Sequence, residues 1–414
     1  MFFFAKNQHD VCPNSKKAHK TFEKHYNISP ICRFCLRFLI ILFVLFLVFK
    51  NIVLLLRQNN NFLSQKIYKN MALIIPKHYQ QRLLPETTEV AIKTIKDSFQ
   101  KKLSAALHLR RVTAPLFVLA GTGVNDDLNG TEHPVAFTID AMGGKRAEVV
   151  HSLAKWKRIK LGAYGIAPGY GIYTDMNAIR TFEDLDNMHS LYVDQWDWEK
   201  VIRESERNLD TLKDTVRNIY RAIKETEQEV YEQFPHITPR LPKEITFVHS
   251  EDMQKQMPEL TPQEREKEYA KKYGAIFVIG IGATLADGKP HDGRAPDYDD
   301  WVTETDAQHK GLNGDIIVWD DVLDIPFELS SMGIRVSPES LRRQLEICGC
   351  TERKNLTFHK ALLDGKLPFS IGGGIGQSRL CMYLLQKAHI GEVQASIWPE
   401  QQVEICKQHG ILLM

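Results

Sequence analysis

The runs Glu328-Leu-Ser-Ser-Met-Gly-Ile-Arg335 and Gly372-Gly-Gly-Ile-Gly-Gln-Ser-Arg379 lie near the end of the chain, behind an acidic stretch at His291 to Asp300. A carboxylate holds Mg²⁺ against phosphate oxygens, and an arginine grips phosphate or carboxylate with two N–H groups. Glycines such as Gly374 and Gly376 let backbone N–H groups approach a nucleotide. Neither run is specific alone, but together they predict a site for ATP and Mg²⁺ beside an acidic substrate.

Local patterns from Met71 onward predict one mixed α/β domain, residues 71–414. Helices are predicted over Glu86 to Leu107, Val201 to Phe234, the segment that Thr261-Pro-Gln-Glu264 caps and Gly274 ends, and Leu380 to Gln386. Strands are predicted at Arg111 to Leu119 with a break at Pro115, Glu244 to His249, Ala275 to Ile281, and Ile316 to Trp319. Hairpin-like spacing between Ile172 and Asp197 favours an antiparallel sheet.

The position of the glycines argues against a dinucleotide-binding fold. In that fold a glycine fingerprint follows the first strand of a βαβ unit, and an acidic residue follows about twenty residues later. Here the glycines lie near the C-terminus, in a predicted turn that precedes a predicted helix. The charged residue that follows them is Arg379 and not an acidic residue. A doubly wound parallel sheet is therefore a poor interpretation.

Composition limits the class of protein. The 414 residues have a formal net charge of +2, so no basic field of the kind that drives non-specific nucleic-acid binding is present, and no nucleic-acid partner is expected. Seven cysteines without regular spacing favour reduced thiols in a cytosol-like compartment. Cys32-x-x-Cys35 has no second pair and is not expected to bind zinc. We therefore predict a cytoplasmic protein.

Residues 1–70 differ in composition from the rest and are interpreted as an apolar extension outside the fold. Residues 34–56 are apolar apart from a few charges, and Lys50 would cost roughly 2.5 to 3.5 kcal/mol at the centre of a bilayer. Insertion is therefore permitted without being required, and a membrane is expected only if this segment is retained and inserted. The alternative is that the product starts at Met71 and the prefix is upstream sequence.

From about Met71 to the C-terminus the chain resembles ammonia-dependent asparagine synthetase, the aspartate–ammonia ligase related to class II aminoacyl-tRNA synthetases. The resemblance rests on runs of five to ten residues in order along the chain. They are Val149 to Arg158, Leu191 to Glu199, Arg294 to Trp301, Gly311 to Asp315, Glu328 to Arg335 and Ile371 to Arg379. The prefix has no counterpart in that family.

This resemblance implies an α+β fold with an antiparallel sheet of six to eight strands flanked by helices. Pro115 resembles the proline of the first class II motif, which implies a homodimer with this proline at the interface. Arg180 and Arg379 resemble the arginines of the second and third motifs. Glu183 follows Arg180 by three residues where the synthetases have two, which puts its contact with adenine in question.

The implied reaction activates the β-carboxylate of aspartate as an adenylate, and ammonia then displaces AMP. Two anions about 4 Å apart repel by roughly 4 kcal/mol at an effective dielectric constant near 20, so the site must supply cations. Arg180, Arg379 and Mg²⁺ are predicted to neutralise the phosphates. Asp315 and Glu328 are predicted to hold the metal. Catalysis then consists mainly of alignment and charge neutralisation.

Recognition of aspartate requires a cation for carboxylate and acids or amides for the ammonium group. Arg335 is predicted to bind a carboxylate, with a supporting hydrogen bond from Ser331. On the ammonium side the predicted ligands are Asp126, Gln195 and Asp197. Asp126, in the loop Gly121 to Gly130, is also a candidate proton acceptor. Lys157 is a candidate ligand for carboxylate or phosphate, or else a solvated charge, and Asp299 is either a substrate ligand or a structural acid.

Free ammonia is the expected nitrogen donor, because no cysteine follows Met1 or Met71 to serve as the N-terminal nucleophile of a glutaminase. Two alternatives stay open. An aspartyl- or asparaginyl-tRNA synthetase would need an anticodon-binding domain, and the prefix is apolar where such a domain is basic. A non-catalytic relative would lack some of the charged site residues, whereas this sequence has all of them: Arg180, Asp315, Glu328, Arg335 and Arg379.

Overall fold

A mixed sheet of eight strands forms the centre of the protein in the computed structural model, which describes residues 73–125 and 132–414. In chain order its strands are β1 (Leu109–Arg111), β5 (Gly171–Ile179), β6 (Tyr192–Val201), β7 (Thr246–His249), β8 (Ala275–Ile279), β9 (Asn313–Asp320), β10 (Ile325–Ile334) and β11 (Ser370–Gly376). Their order across the sheet is β1-β5-β6-β11-β10-β9-β8-β7. The six inner strands pair antiparallel. The outermost pairs β1/β5 and β7/β8 are parallel.

A second, three-stranded sheet lies to one side, with strands β2 (Phe117–Leu119), β3 (Ala136–Ile139) and β4 (Lys145–Val149) in the order β2-β4-β3. The predicted strand from Arg111 to Leu119 is thus two strands in different sheets. The break falls at Pro115, whose ring removes the backbone N–H that a continuous ladder would need.

Helices flank the main sheet. In chain order they are α1 (Pro85–Leu107), α2 (Ala154–Ala163), α3 (Leu209–Gln233), α4 (Ser250–Gln256), α5 (Pro262–Tyr273), α6 (Pro338–Ile347), α7 (Thr357–Leu363), α8 (Gln377–Leu384) and α9 (Glu400–Gln408). The apolar faces of α1 and α3 are buried against the sheet through residues such as Phe99, Leu103, Val216 and Ile223. The predicted α+β class with a helix-flanked antiparallel sheet is confirmed.

Local sequence signals explain several helix ends. Thr261 and Glu264 form the predicted capping box at the start of α5, and Gly274 follows the helix with φ of 74°. The predicted helix from Val201 to Phe234 is wrong at its start, because Val201 still belongs to β6. Asn208 caps the true start by accepting a hydrogen bond from Thr211 N.

Alternation along β6 separates the apolar core from a polar layer. Trp196 and Trp198 are fully buried on one face, and the ring of Trp196 packs 4.7 Å from that of Phe99. Gln195, Asp197 and Glu199 point to the other face, since successive side chains of a strand alternate. This polar face of the sheet forms the floor of a large cavity.

Several predictions fall on residues that the structure does not describe. The extension 1–70, the apolar segment 34–56 and Asp126 lie outside residues 73–125 and 132–414. The domain boundary and the role of Asp126 therefore stay predictions. Across the described ranges we find no helix that combines the length and the apolar character needed to span a bilayer.

Candidate active site

A cavity of about 440 Å³ lies over the polar face of the main sheet. The predicted site residues that line it are Arg180, Glu183, Gln195, Asp197, Asp299, Glu328, Ser331, Arg335, Gly374, Gly376 and Arg379. They come from β6, β10, β11, the segments directly after β5 and β10, the start of α8 and the loop before β9. Residues scattered over two hundred positions of sequence are thus brought to one concave, polar surface, the usual setting of a ligand site.

The glycine-rich run forms a central strand and not the predicted turn. In β11, Gly372 and Gly374 pair with Glu199 and Asp197 of β6. A Cβ on Gly372 would collide with the carboxylate of Glu199 and lie 2.6 Å from Arg335 Nη2. A Cβ on Gly374 would collide with the side-chain amide of Gln195. The glycines therefore leave room for polar side chains from the neighbouring strands on the cavity floor.

Arg180 and Arg379 stand on the cavity wall. Arg180 directly follows β5, and its Nη1 lies 3.5 Å from the carboxylate of Glu183. Arg379 is in the first turn of α8, where its Nη1 donates to Glu328 O at 3.2 Å and lies 3.7 Å from the Glu328 carboxylate. About a fifth of each arginine side chain stays exposed to the cavity. Both guanidinium groups are therefore accessible to an anionic ligand.

Arg335 is more deeply engaged than the sequence predicts. Its Nε and Nη2 donate to the carboxylate of Glu199 at 3.0 and 2.9 Å, and its Nη1 donates to Asp299 at 2.5 Å. Burial alone would raise the pKa of Glu199, but Arg335 and Lys157 outweigh it and hold that pKa below its ordinary value. All three guanidinium nitrogens thus already contact protein carboxylates, namely those of Glu199 and Asp299.

Lys157 does not line the cavity. Its side chain is fully buried on the same face of the sheet as Asp197 and Glu199, where Nζ is paired with Asp197 and donates to Trp198 O at 2.8 Å. Glu199 lies 3.6 Å away. A role of Lys157 as a ligand for carboxylate or phosphate stays a prediction, whereas the alternative of a solvated charge is wrong, because the side chain is fully buried. It supports Asp197, which does face the cavity.

Asp315 sits on β9 beside Ser331 of β10. Burial raises the pKa of Asp315 to about 7, Glu328 adds to the rise, and Arg294 opposes it. Arg294 Nη2 lies 2.6 Å from Asp315 Oδ1, and Arg294 Nη1 donates to Ser331 at 2.7 Å. Arg294 thus opposes the effect of burial at Asp315, and a further cation beside this carboxylate would favour its ionised form.

Sequence reasoning missed Arg294, although it begins one of the runs that carry the family resemblance. Its position in a loop before β9 gave no spacing signal that pointed to the site. In the structure it lines the cavity with about a tenth of its side chain exposed, and it contacts two predicted site residues, Asp315 and Ser331. Only the pairing of β9 with β10 brings those partners together.

The carboxylates fit Mg²⁺ only in combination with a ligand. Among the described residues, no group of three or more His, Cys, Asp or Glu side chains is arranged to hold a metal ion. Asp315 and Glu328 provide only two carboxylates, and the Glu328 side chain is about half exposed. Mg²⁺ is commonly held by one or two carboxylates together with substrate phosphates and water, so this pair suits it when a nucleotide is bound.

The fold and the polar cavity define the class. The protein superposes on asparaginyl-tRNA synthetase from Pyrococcus horikoshii, solved with asparaginyl-adenylate, with a TM-score of 0.57 and 13% identity, over 76% of this chain and 70% of that one. The fold is therefore that of a class II aminoacyl-tRNA synthetase catalytic domain.

Sequence comparison identifies the family within this class. The model of the aspartate–ammonia ligase family matches residues 86–410. The aspartate–ammonia ligases of Parabacteroides distasonis and Bacteroides thetaiotaomicron are 60% and 58% identical over 342 residues, which is 83% of this chain and 99% of each relative. The protein belongs to the aspartate–ammonia ligase family, and the prediction that it is an enzyme of this family is confirmed.

Proposed function

We propose that the protein makes asparagine from aspartate, ammonia and ATP through β-aspartyl-adenylate, with release of pyrophosphate and then AMP. The observation that carries this proposal is that Arg180 and Arg379 line one cavity together with the carboxylates and the amide on its floor. Fixed cations at the phosphates let a carboxylate approach the α-phosphorus, because they offset the repulsion between the two anions.

The two substrates divide the cavity by charge. Arg180 and Arg379, with Glu328 and Asp315 holding Mg²⁺ when it is bound, form the side suited to the nucleotide phosphates. Gln195 and Asp197, neighbours on the floor, offer acceptors for the ammonium group of aspartate. Mg²⁺ would supply positive charge at the phosphate oxygens.

The nucleotide product tests the route. We expect the protein, supplied with aspartate, ammonium, ATP and Mg²⁺, to form AMP and asparagine in equal amounts, because attack at the α-phosphorus releases pyrophosphate. Chromatography of the nucleotides measures the ratio, and glutamine in place of ammonium serves as the control, from which little asparagine is expected. Formation of ADP would show activation as an acyl phosphate and contradict the proposal.

An exposed apolar patch on the three-stranded sheet supports a homodimer. Leu116, Phe117, Phe137 and Met142 are between 40% and 51% exposed, and the rings of the two phenylalanines pack edge to face 5.1 Å apart. Pro115, the residue predicted at the dimer interface, directly precedes Leu116. Contiguous exposed apolar side chains commonly mark a protein interface. We infer that a second copy covers this patch.

Phe117→Asp should convert the dimer to monomer. An unpaired carboxylate buried in an apolar contact costs about 3 kcal/mol or more, which is roughly a hundredfold in the dimer dissociation constant. Light scattering across a dilution series measures the effect. Ile397→Asp is the control, because Ile397 is 77% exposed and not part of this patch. A variant that stayed dimeric at the same dilution would place the interface elsewhere.

A further inference from the structure

The helix that carries Arg379 begins without a side-chain cap of its own. Gly376 is the residue before α8, and it has no side chain that could accept a hydrogen bond from the first turn. A Cβ on Gly376 would lie 3.0 Å from Cβ of Arg379, so a capping side chain at this position would crowd the arginine. The N–H groups of a first helical turn need acceptors from outside the helix. A side-chain acceptor for α8 therefore has to come from another part of the chain.

Asp194 on β6 supplies this acceptor. Its Oδ1 accepts a hydrogen bond from Ser378 N at 3.0 Å, one residue before Arg379 in the sequence. Lys96 of α1 pairs with the other carboxylate oxygen, with Nζ 3.0 Å from Oδ2. Gln394 Nε2 donates to Ser378 Oγ at 2.9 Å and to Asp194 Oδ1 at 3.4 Å. The first turn of α8 is thus held by a carboxylate that is only 6% exposed and that has its own cation.

The rest of α8 is held in a different way. The residues from Leu380 to Leu384 are all buried, and they belong to the apolar core. Ser378 and Arg379, in contrast, line the cavity. Apolar packing therefore fixes the body of the helix, whereas polar contacts fix its first turn. Loss of the Asp194 contact should loosen the backbone next to Arg379 while the helix stays packed.

We propose that Asp194 is a positioning residue, which fixes the first turn of α8 so that the guanidinium group of Arg379 reaches the nucleotide phosphates. The inference deepens the proposed function and rests on it, because it takes Arg379 as a ligand of ATP. Asp194 is among the residues that line the cavity, yet both of its carboxylate oxygens already have partners in the protein. Its effect on the reaction passes through Arg379, and the expected signature is weaker binding of ATP.

Asp194→Ala tests this role. The variant removes the acceptor for Ser378 N and leaves Lys96, which is 34% exposed, to be hydrated. Exchange of pyrophosphate into ATP is measured with aspartate and without ammonium. We expect the KM for ATP to rise roughly tenfold, the scale of losing a helix cap, while the KM for aspartate stays within about threefold of normal.

Two further variants separate positioning from a general loss of stability. Leu384→Ala removes buried apolar bulk from the last turn of the same helix, so the protein should lose stability while the KM for ATP stays within about twofold of normal. Asp194→Asn together with Lys96→Gln replaces the ion pair with two amides and keeps an acceptor oxygen for Ser378 N. Since asparagine is a good capping residue, this pair should restore the KM for ATP to within about threefold of normal.

The outcomes that would overturn the proposal are distinct. They are an unchanged KM for ATP in Asp194→Ala, an equal rise in Leu384→Ala, and no recovery with the amide pair. Should Asp194→Ala not fold, Ser378→Pro removes the donor in place of the acceptor, because proline suits a first helical turn but has no N–H, and the same rise is expected. If the unaltered protein made asparagine without exchange, the adenylate route would be wrong, and the KM for ATP in asparagine formation would still decide the role of Asp194.

Discussion

Arg379→Ala should reduce the rate of pyrophosphate exchange into ATP by roughly 10²- to 10³-fold, the usual effect of removing one fixed donor from a developing charge. The side chain reaches the cavity from the first turn of α8, and its contacts with Glu328 leave part of the guanidinium exposed. The charge is needed when the carboxylate attacks the α-phosphorus, before ammonia takes part. Exchange with aspartate in the absence of ammonium therefore isolates the affected step.

Two companion variants make this result specific. Arg379→Lys keeps a point charge but loses the planar fork, so it should retain an intermediate rate. Arg217→Ala removes an arginine that is 57% exposed on α3, paired with Asp214 and remote from the cavity lining, and should exchange normally. Normal exchange in Arg379→Ala would show that this arginine does not contact the nucleotide, and it would remove the main support for the proposed division of the cavity.

Local signals in the sequence predicted those parts of the fold that local physics determines. The helix predicted over Glu86 to Leu107 begins at Pro85 and ends at Leu107, because proline suits the first helical position and the apolar spacing continues to the last turn. Hairpin-like spacing between Ile172 and Asp197 correctly predicted the antiparallel pair β5 and β6. Each of these features depends on residues that are neighbours in sequence.

The errors arose where tertiary contacts decide the conformation. Four glycines in five residues predict a turn on local grounds, yet Ser370–Gly376 is a central strand. Glycine is needed there because the side chains of Glu199, Gln195 and Arg335 leave no room for a Cβ. No local pattern in the sequence reveals these neighbours. Pairing across the sheet has to be known before the glycines can be interpreted.

The same limit applies to the site. Most of the predicted site residues that the structure describes line the cavity, but Asp315 and Lys157 do not. Residue type did not indicate which of those charges face one another. Arg335 is paired with Glu199 and Asp299, and Lys157 is paired with Asp197 and lies near Glu199. A sequence lists the charges of a site, whereas the register of its strands determines whether each cation meets a protein carboxylate or a ligand.

The buried charges at the cavity floor form one continuous network. Lys157 contacts Asp197 and Glu199, Glu199 accepts from Arg335 and Ser370, and Arg335 reaches Asp299. Asp197 and Asp299 also line the cavity. Charges this deeply buried are tolerated only when each has its partner, because an unpaired one loses its hydration without compensation. The position of the charges that line the cavity therefore depends on Lys157 and Glu199, which do not line it.

Lys157→Met should lower the free energy of unfolding by about 3 to 5 kcal/mol, because it leaves Asp197 and part of the charge on Glu199 buried without a cation. Chemical denaturation measures this loss. In the fraction that stays folded, the KM for aspartate should rise more than the KM for ATP, since Asp197 loses the contact that orients it.

Lys160→Met, one turn further along α2, is the control. It removes a lysine that stacks on Trp156 and Tyr164 and should change the free energy of unfolding by less than about 1 kcal/mol. Equal stability of the two variants would mean that Asp197 is satisfied without Lys157, and a KM effect confined to ATP would move Asp197 to the nucleotide side of the cavity.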